Sequence, residues 1–203
     1  MIDVYGRLLV ILRTLFVLGM TCSVGLAASS PRMRPYTGIG LVVFLADNAQ
    51  SQDLQLPLYA EPGLSRVGIL SSLKMSGNEW VFALPEGTSL FIVSARKGDW
   101  VKVIYDDAGR EAWIEQQNKG HFQSWEQFLK LQAGRLLPGL QQQYYHLLER
   151  PGRKQLKVLM PKDRFRVIKL ENSWSMVLTD QSQIGWVRWR DDDGRLTVGT
   201  GIK

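Results

Sequence analysis

The sequence predicts a mainly β protein built from two small antiparallel barrels joined by a short helical linker. The first observation behind this is that the second half of the 203-residue chain repeats the first. Met160 to Val167 (MPKDRFRV) lines up with Leu84 to Phe91 (LPEGTSLF), and Leu147 to Gly152 matches Leu58 to Gly63. The second is a shared pair of tryptophans after each of these segments. Trp100 and Trp113 lie thirteen residues apart in one copy, and Trp174 and Trp186 lie twelve apart in the other. A repeat of this length means two similar modules. The third is a change of apolar period, from two within the modules to about 3.6 between them.

Residues 1–28 read as an export signal and stand apart from the fold. Arg7 and Arg13 supply its positive end, Leu15 to Met20 open the apolar stretch, and Gly25, Ala27, Ala28 and Ser29 are the small residues that cleavage requires. The rival reading is an uncleaved anchor from Leu8 to Ala28, in which Arg13 would be costly. Cys22, the only cysteine, sits in a poor lipid-attachment context, so a cleaved chain holds no thiol and no disulfide. The chain is therefore expected to be exported to the periplasm; a membrane-anchored form follows only if the segment stays. Residues 29–54 form an N-terminal segment whose apolar run, 39–46, fits a buried strand without an evident partner.

Residues 55–116 are the first module. Leu90 to Val93 and Trp100 to Tyr105 read as strands, Asp106 to Gly109 as a turn, and Ala112 to Ile114 as the closing strand. Leu73 to Val81 has no counterpart in the second copy and is expected to be a loop carrying Trp80. Residues 117–143 are the linker. Ser124 with Gln127 makes a capping box, Trp125, Phe128, Leu129 and Gln132 share a side, and Gly134 is the expected stop. Around 138–144 the helical spacing of Leu140, Tyr144 and Leu147 conflicts with the strand that the repeat demands. Residues 144–196 are the second module, with Phe165 to Ile168 and Trp174 to Thr179 as central strands, and 197–203 a polar tail.

At this point the residues resemble the bacterial SH3-like (SH3b) domain, twice over. Gly98-Asp99-Trp100-Val101-Lys102-Val103 is similar to that family's Gly-x-Trp-x-x-Val. Pro85-Glu86-Gly87-Thr88-Ser89-Leu90 matches its strand entry, and Gly185-Trp186-Val187 its closing strand. The first copy has Ala112 at that last glycine. The resemblance covers about 115 residues and implies five-stranded bent barrels and a binding or accessory role in the cell envelope. The partner it implies is peptidoglycan or an envelope protein. The rival is a purely structural subunit of an envelope assembly with no small-ligand groove.

Each aromatic has a bland reading beside the functional one. Trp113 and Trp186 are expected as structural core. Trp100 and Trp174 share strand parity with Lys102 and Met176, opposite Val103 and Val177, and so are expected to be partly exposed. Tyr59, Trp80 and Trp100 are the candidate ligand-binding residues, with Tyr59 beside the Pro62-Gly63 turn and Trp80 on the insertion. The second copy has Leu148 in place of Tyr59.

Catalysis has little support: neither His121 nor His146 has a neighbour suggesting a triad or a metal cluster, and the aspartates at 106–107 and 191–193 fit turns. No metal and no cofactor are expected. The net charge of +6 is spread along the chain, forms no stripe, and with the export signal argues against nucleic acid.

Overall fold

The computed structural model describes residues 33–45, 55–71, 80–85, 88–106, 108–116 and 120–201. The expected export segment, with Arg7, Arg13 and Cys22, and residues 72–79 of the expected loop lie outside the described residues.

Two antiparallel seven-stranded sheets account for the fold. The first contains β1 (Gly40–Leu45), β2 (Gln55–Glu61), β3 (Leu64–Ser71), β4 (Thr88–Lys97), β5 (Trp100–Ile104), β6 (Glu111–Glu115) and β7 (Gly120–Gln123). Its strands neighbour one another in the order β3-β2-β6-β5-β4-β1-β7. The second contains β8 (Ala133–Leu136), β9 (His146–Leu148), β10 (Gln155–Val158), β11 (Arg164–Glu171), β12 (Trp174–Thr179), β13 (Ile184–Arg188) and β14 (Val198–Thr200). Their order is β10-β9-β13-β12-β11-β8-β14, so adding seven to every strand of the first sheet gives the second. The registers repeat as well. Trp100 faces Glu115 and Trp174 faces Arg188; Tyr59 faces Trp113 and Leu148 faces Trp186. Gly63 and Gly152, at φ +73° and +68°, make matching turns that a side chain would strain.

Three expectations are corrected here. Among the described residues no ladder joins β3 to β7 or β10 to β14, so each sheet is open where closed barrels were expected. The modules are also longer than 55–116 and 144–196. The apolar run at 39–46 contributes β1, an inner strand between β4 and β7, and the tail expected at 197–203 contributes β14, whose Val198 and Thr200 are fully buried. The stretch 117–143 supplies β7 and β8 as well as a helix, so it is more than a linker.

That helix, α1 (Trp125–Lys130), begins at the capping box of Ser124 and Gln127. It ends one turn before Gly134, which lies instead in β8 beneath the Phe165 ring. Nothing larger than hydrogen fits there, since a Cβ would stand 2.6 Å from Phe165 Cε2. The conflict at 138–144 dissolves because both readings hold in succession: a 3-10 helix at Gln142–Tyr145 runs into β9. Among the described residues no helix is long and apolar enough to cross a membrane.

Two cores hold the sheets. One lies inside the first sheet, built from Val42, Phe44, Leu58, Phe91, Val101, Val103, Ala112 and Ile114. The other joins the two sheets. It takes Leu41, Leu90 and Ile92 from the opposite face of β1 and β4 and packs them in one cluster with Trp125, Phe128, Leu136, Val177 and Val198. β1 and β4 are therefore buried on both faces, which explains why they read as continuous apolar runs rather than alternating ones. The segment before β1 is tied to residues 191–196. Arg34 donates to the buried Asp191 at 2.6 Å and to the Leu196 carbonyl at 2.9 Å. Arg195 lies over the Tyr36 ring at 4.0 Å, and the Thr37 amide donates to Gly194.

Candidate functional site

The candidate site is an aromatic face on the first sheet, and strand register builds it. In β5 Val101 and Val103 point into the core of the first sheet, so Trp100 and Lys102 lie on the opposite face, and Ile104 in the same phase packs against the core shared by the sheets. Lys102 sits opposite Trp113 on β6, and Trp113 sits opposite Tyr59 on β2. Directly opposed residues of antiparallel strands share a face, so Tyr59, Trp100 and Trp113 lie on one surface. Tyr59 and Trp100 meet edge to face, with ring centroids 5.2 Å apart at 89°. The Gly63 turn closes one end, where a built Cβ would stand 3.8 Å from Trp100 Cζ2. Lys102 and Glu111 pair at 3.2 Å across the same face, both about one-third exposed. All three aromatic residues are half-buried.

Trp113 was expected in the core and is not there. An alternating strand has two phases, and in β6 Ala112 and Ile114, both essentially inaccessible, take the inward one. Trp186, its counterpart, is buried, with the Lys169 ammonium 5.2 Å above its ring. Trp80 was expected on a loop beside the other two candidates, and it separates from them. It is half-buried against the core shared by the sheets, and its carbonyl accepts a 2.6 Å hydrogen bond from Arg135. Of the three candidate binding residues, the fold unites Tyr59 and Trp100 and adds Trp113.

The same face of the second sheet is differently furnished. Opposite Trp174, Arg188 lays its guanidinium over the Trp174 ring at 5.4 Å and over Tyr144 at 5.6 Å. Asp192 holds that guanidinium with two hydrogen bonds, one of them at 3.2 Å. The Arg188 hydrogen bond, then its charge, draws the Asp192 carboxyl below the ordinary aspartate value of 3.8. Hydrogen bonding to Asp192 in turn pushes Arg188 upward. Sequence reasoning missed Tyr144 and Arg188 here; the only signal was Arg188 two residues beyond Trp186, in the phase of the strand that faces Trp174.

Of the aspartates expected in turns, Asp106 and Asp191 serve them, and Asp107 lies outside the described residues. Asp106 accepts the Arg110 backbone N–H at 2.9 Å, the leading reason its carboxyl lies below 3.8. Asp191 accepts from the amides of Asp193 and Arg195 at 3.1 and 2.8 Å. His121 is exposed on β7 and His146 half-buried at the start of β9. Among the described residues no three His, Cys, Asp or Glu side chains come together as metal ligands would.

No family model matches the chain, and no curated protein matches it. Among solved structures it is similar to NlpC2 from Trichomonas vaginalis, at 7% identity and a TM-score of 0.33. That match covers 79% of this chain and 48% of the other, so this chain spans about half the length of that protein. A likeness of this degree identifies no family.

Proposed function

We propose that this is an exported, non-enzymatic cell-envelope protein of two SH3-like modules, and that it binds through the outer face of the first. One observation carries the reading. Tyr59, Trp100 and Trp113 form a half-buried aromatic surface in the first module, whereas in the second Arg188 lies over the equally half-buried Trp174 and Lys169 over the buried Trp186. Flat aromatics with few rotamers lose little entropy on contact, so they suit a sugar ring or a peptide chain of the wall. The salt bridge of Lys102 and Glu111 sets polar groups beside them. The ligand in this reading is peptidoglycan or an envelope protein.

The test is sedimentation with purified cell wall. Trp100→Ala and Tyr59→Ala, with folding checked by circular dichroism, lose about thirtyfold in affinity if these rings are central contacts. Trp174→Ala leaves binding unchanged. Equal binding by wild type and the first two variants removes the site.

A second reading has its own support. The core shared by β1, β4, α1 and the second sheet makes one body of the two modules, as a purely structural subunit would need. Absence of wall binding by the wild type, together with capture of an envelope protein that Trp100→Ala also captures, favours that reading.

A further inference from the structure

The hairpin that ends the second sheet carries a combination the first copy lacks. Between residues 149 and 163 the sequence places five Lys or Arg residues and two acids, a local excess within a charge otherwise read as spread. β9 and β10 turn at 149–154, where the Glu149 amide donates to the Lys154 carbonyl and the Arg153 amide to that of Arg150. Arg150, Arg153 and Lys154 are exposed on this turn. β10 is the last strand of its sheet, and a bulge between Gln155 and Lys157 interrupts its pairing. Leu156, Val158 and Met160 are 38%, 43% and 54% exposed on and just after it. Lys157 Nζ is held by Gln181 at 2.7 Å, and the Asp163 carboxylate accepts the Met160 amide, so that acid is engaged locally. The matching stretch of the first copy, residues 60–74, exposes Leu64, Val67 and Ile69 but carries only two cations, Arg66 and Lys74, beside Glu61.

We infer that the β9–β10 hairpin is a peripheral docking surface for an anionic lipid bilayer. Charge complementarity argues for the anion: three exposed cations on one turn answer a negatively charged leaflet. The apolar side chains argue for a lipid rather than a soluble polyanion. Leu156, Val158 and Met160 gain nothing from an aqueous polymer, whereas a bilayer interface receives apolar groups below its headgroups. The bulged sheet-end strand discourages pairing with another strand, which leaves its side chains to face the surface. This site is separate from the aromatic face, so its fate does not depend on that reading.

The experiment uses the full chain with vesicles of phosphatidylcholine alone or with about 30% phosphatidylglycerol, where each surface cation adds a measurable increment. Wild type and variants carry the same N-terminal stretch, so the difference between them reads the hairpin. The double variant Arg153→Gln, Lys154→Gln should partition about thirtyfold less onto the anionic vesicles. Leu156→Ser with Met160→Ser should also weaken binding, and Trp100→Ala should leave it unchanged. Hydrogen exchange at 150–160 should slow on anionic vesicles and not on neutral ones. Equal partitioning of wild type and the charge variant, or unaltered exchange at 150–160, overturns the proposal. So does binding that the charge variant loses, the serine variant keeps and soluble polyphosphate abolishes, which would assign the hairpin to a polyanion.

Discussion

Replacing Trp125 by alanine should destabilise both modules together. Trp125 is only 4% exposed and stands where four segments meet. Its ring lies 6.0 Å from Phe82, 6.4 Å from Phe128 and 5.9 Å from Trp189, and its Nε1–H donates to the Thr37 carbonyl at 2.6 Å. Truncating a large core aromatic costs about 3–5 kcal/mol. The Thr37 carbonyl left without its donor adds toward the upper end, since an unsatisfied buried group costs about 1–3 kcal/mol. Against a total stability of roughly 5–15 kcal/mol this is a large share. At about 2–4 °C per kcal/mol for a unit of this size, the midpoint should fall by roughly 6–20 °C. The assay is thermal and guanidinium unfolding with hydrogen exchange at Val101 and Ile114 in the first module and Val177 and Val187 in the second. A single transition with parallel loss of protection in both sets is the expected outcome. Two separated transitions, or loss confined to the second module, would refute the shared core as the source of cooperativity.

Other substitutions follow from the same packing. Trp186→Ala should cost about 2–4 kcal/mol and Trp113→Ala roughly half of that, because the first is buried and the second half-exposed; equal losses in denaturant titration would contradict the assignment of faces. Gly185→Ala should cost about 1–3 kcal/mol by overpacking, since its Cβ would stand 2.7 Å from Leu147 Cδ1 and 2.9 Å from the Leu148 carbonyl oxygen. Ala112 occupies the equivalent place in the first copy, and a Gly185→Ala protein as stable as wild type would sink the argument. Asp192 should titrate with a midpoint under 3.8 in a carboxyl-carbon NMR series, because Arg188 stabilises its charged form. A depressed carboxylate contributes stability above its unfolded value and loses it as pH falls through the folded one. Acid below that range should therefore free Arg188 from Asp192, with little effect on global stability at so exposed a pair; a midpoint at or above 3.8 would exclude the ion pair.

Landmarks that are local or chemically distinctive could be read from the sequence. The repeat announced itself through Pro62 and Pro151 and the two tryptophan pairs, and strand register bears those pairings out. Ser124 with Gln127 marked the start of α1 to the residue. What stayed hidden depends on distant chain. β1 and β8 occupy the same place in their sheets, yet Gly40–Leu45 and Ala133–Leu136 share little sequence, and their pairing with β4 and β11 is not encoded by period. Period two likewise does not say which phase of β6 faces inward, so a place in the closing strand does not put Trp113 in the core, and the small Ala112 takes that phase. The aromatic face is half legible: the sequence sets Tyr59 and Trp100 beside turns. Trp80 reads as a loop residue, and the contact that sets it apart, with Arg135, spans 55 residues.

The shared core also imposes an order of events on synthesis. β1 and β4 are complete once residue 97 has been made, yet the faces of Leu41, Leu90 and Ile92 await partners from α1 and the second sheet. The bond from Arg34 to Asp191 closes across 157 residues, so the strap before β1 stays unfastened until almost the whole chain exists. During vectorial production the first sheet therefore stands with one greasy side bare, the condition in which nascent chains associate wrongly. A stalled or shortened product ending before α1 would carry that bare side permanently.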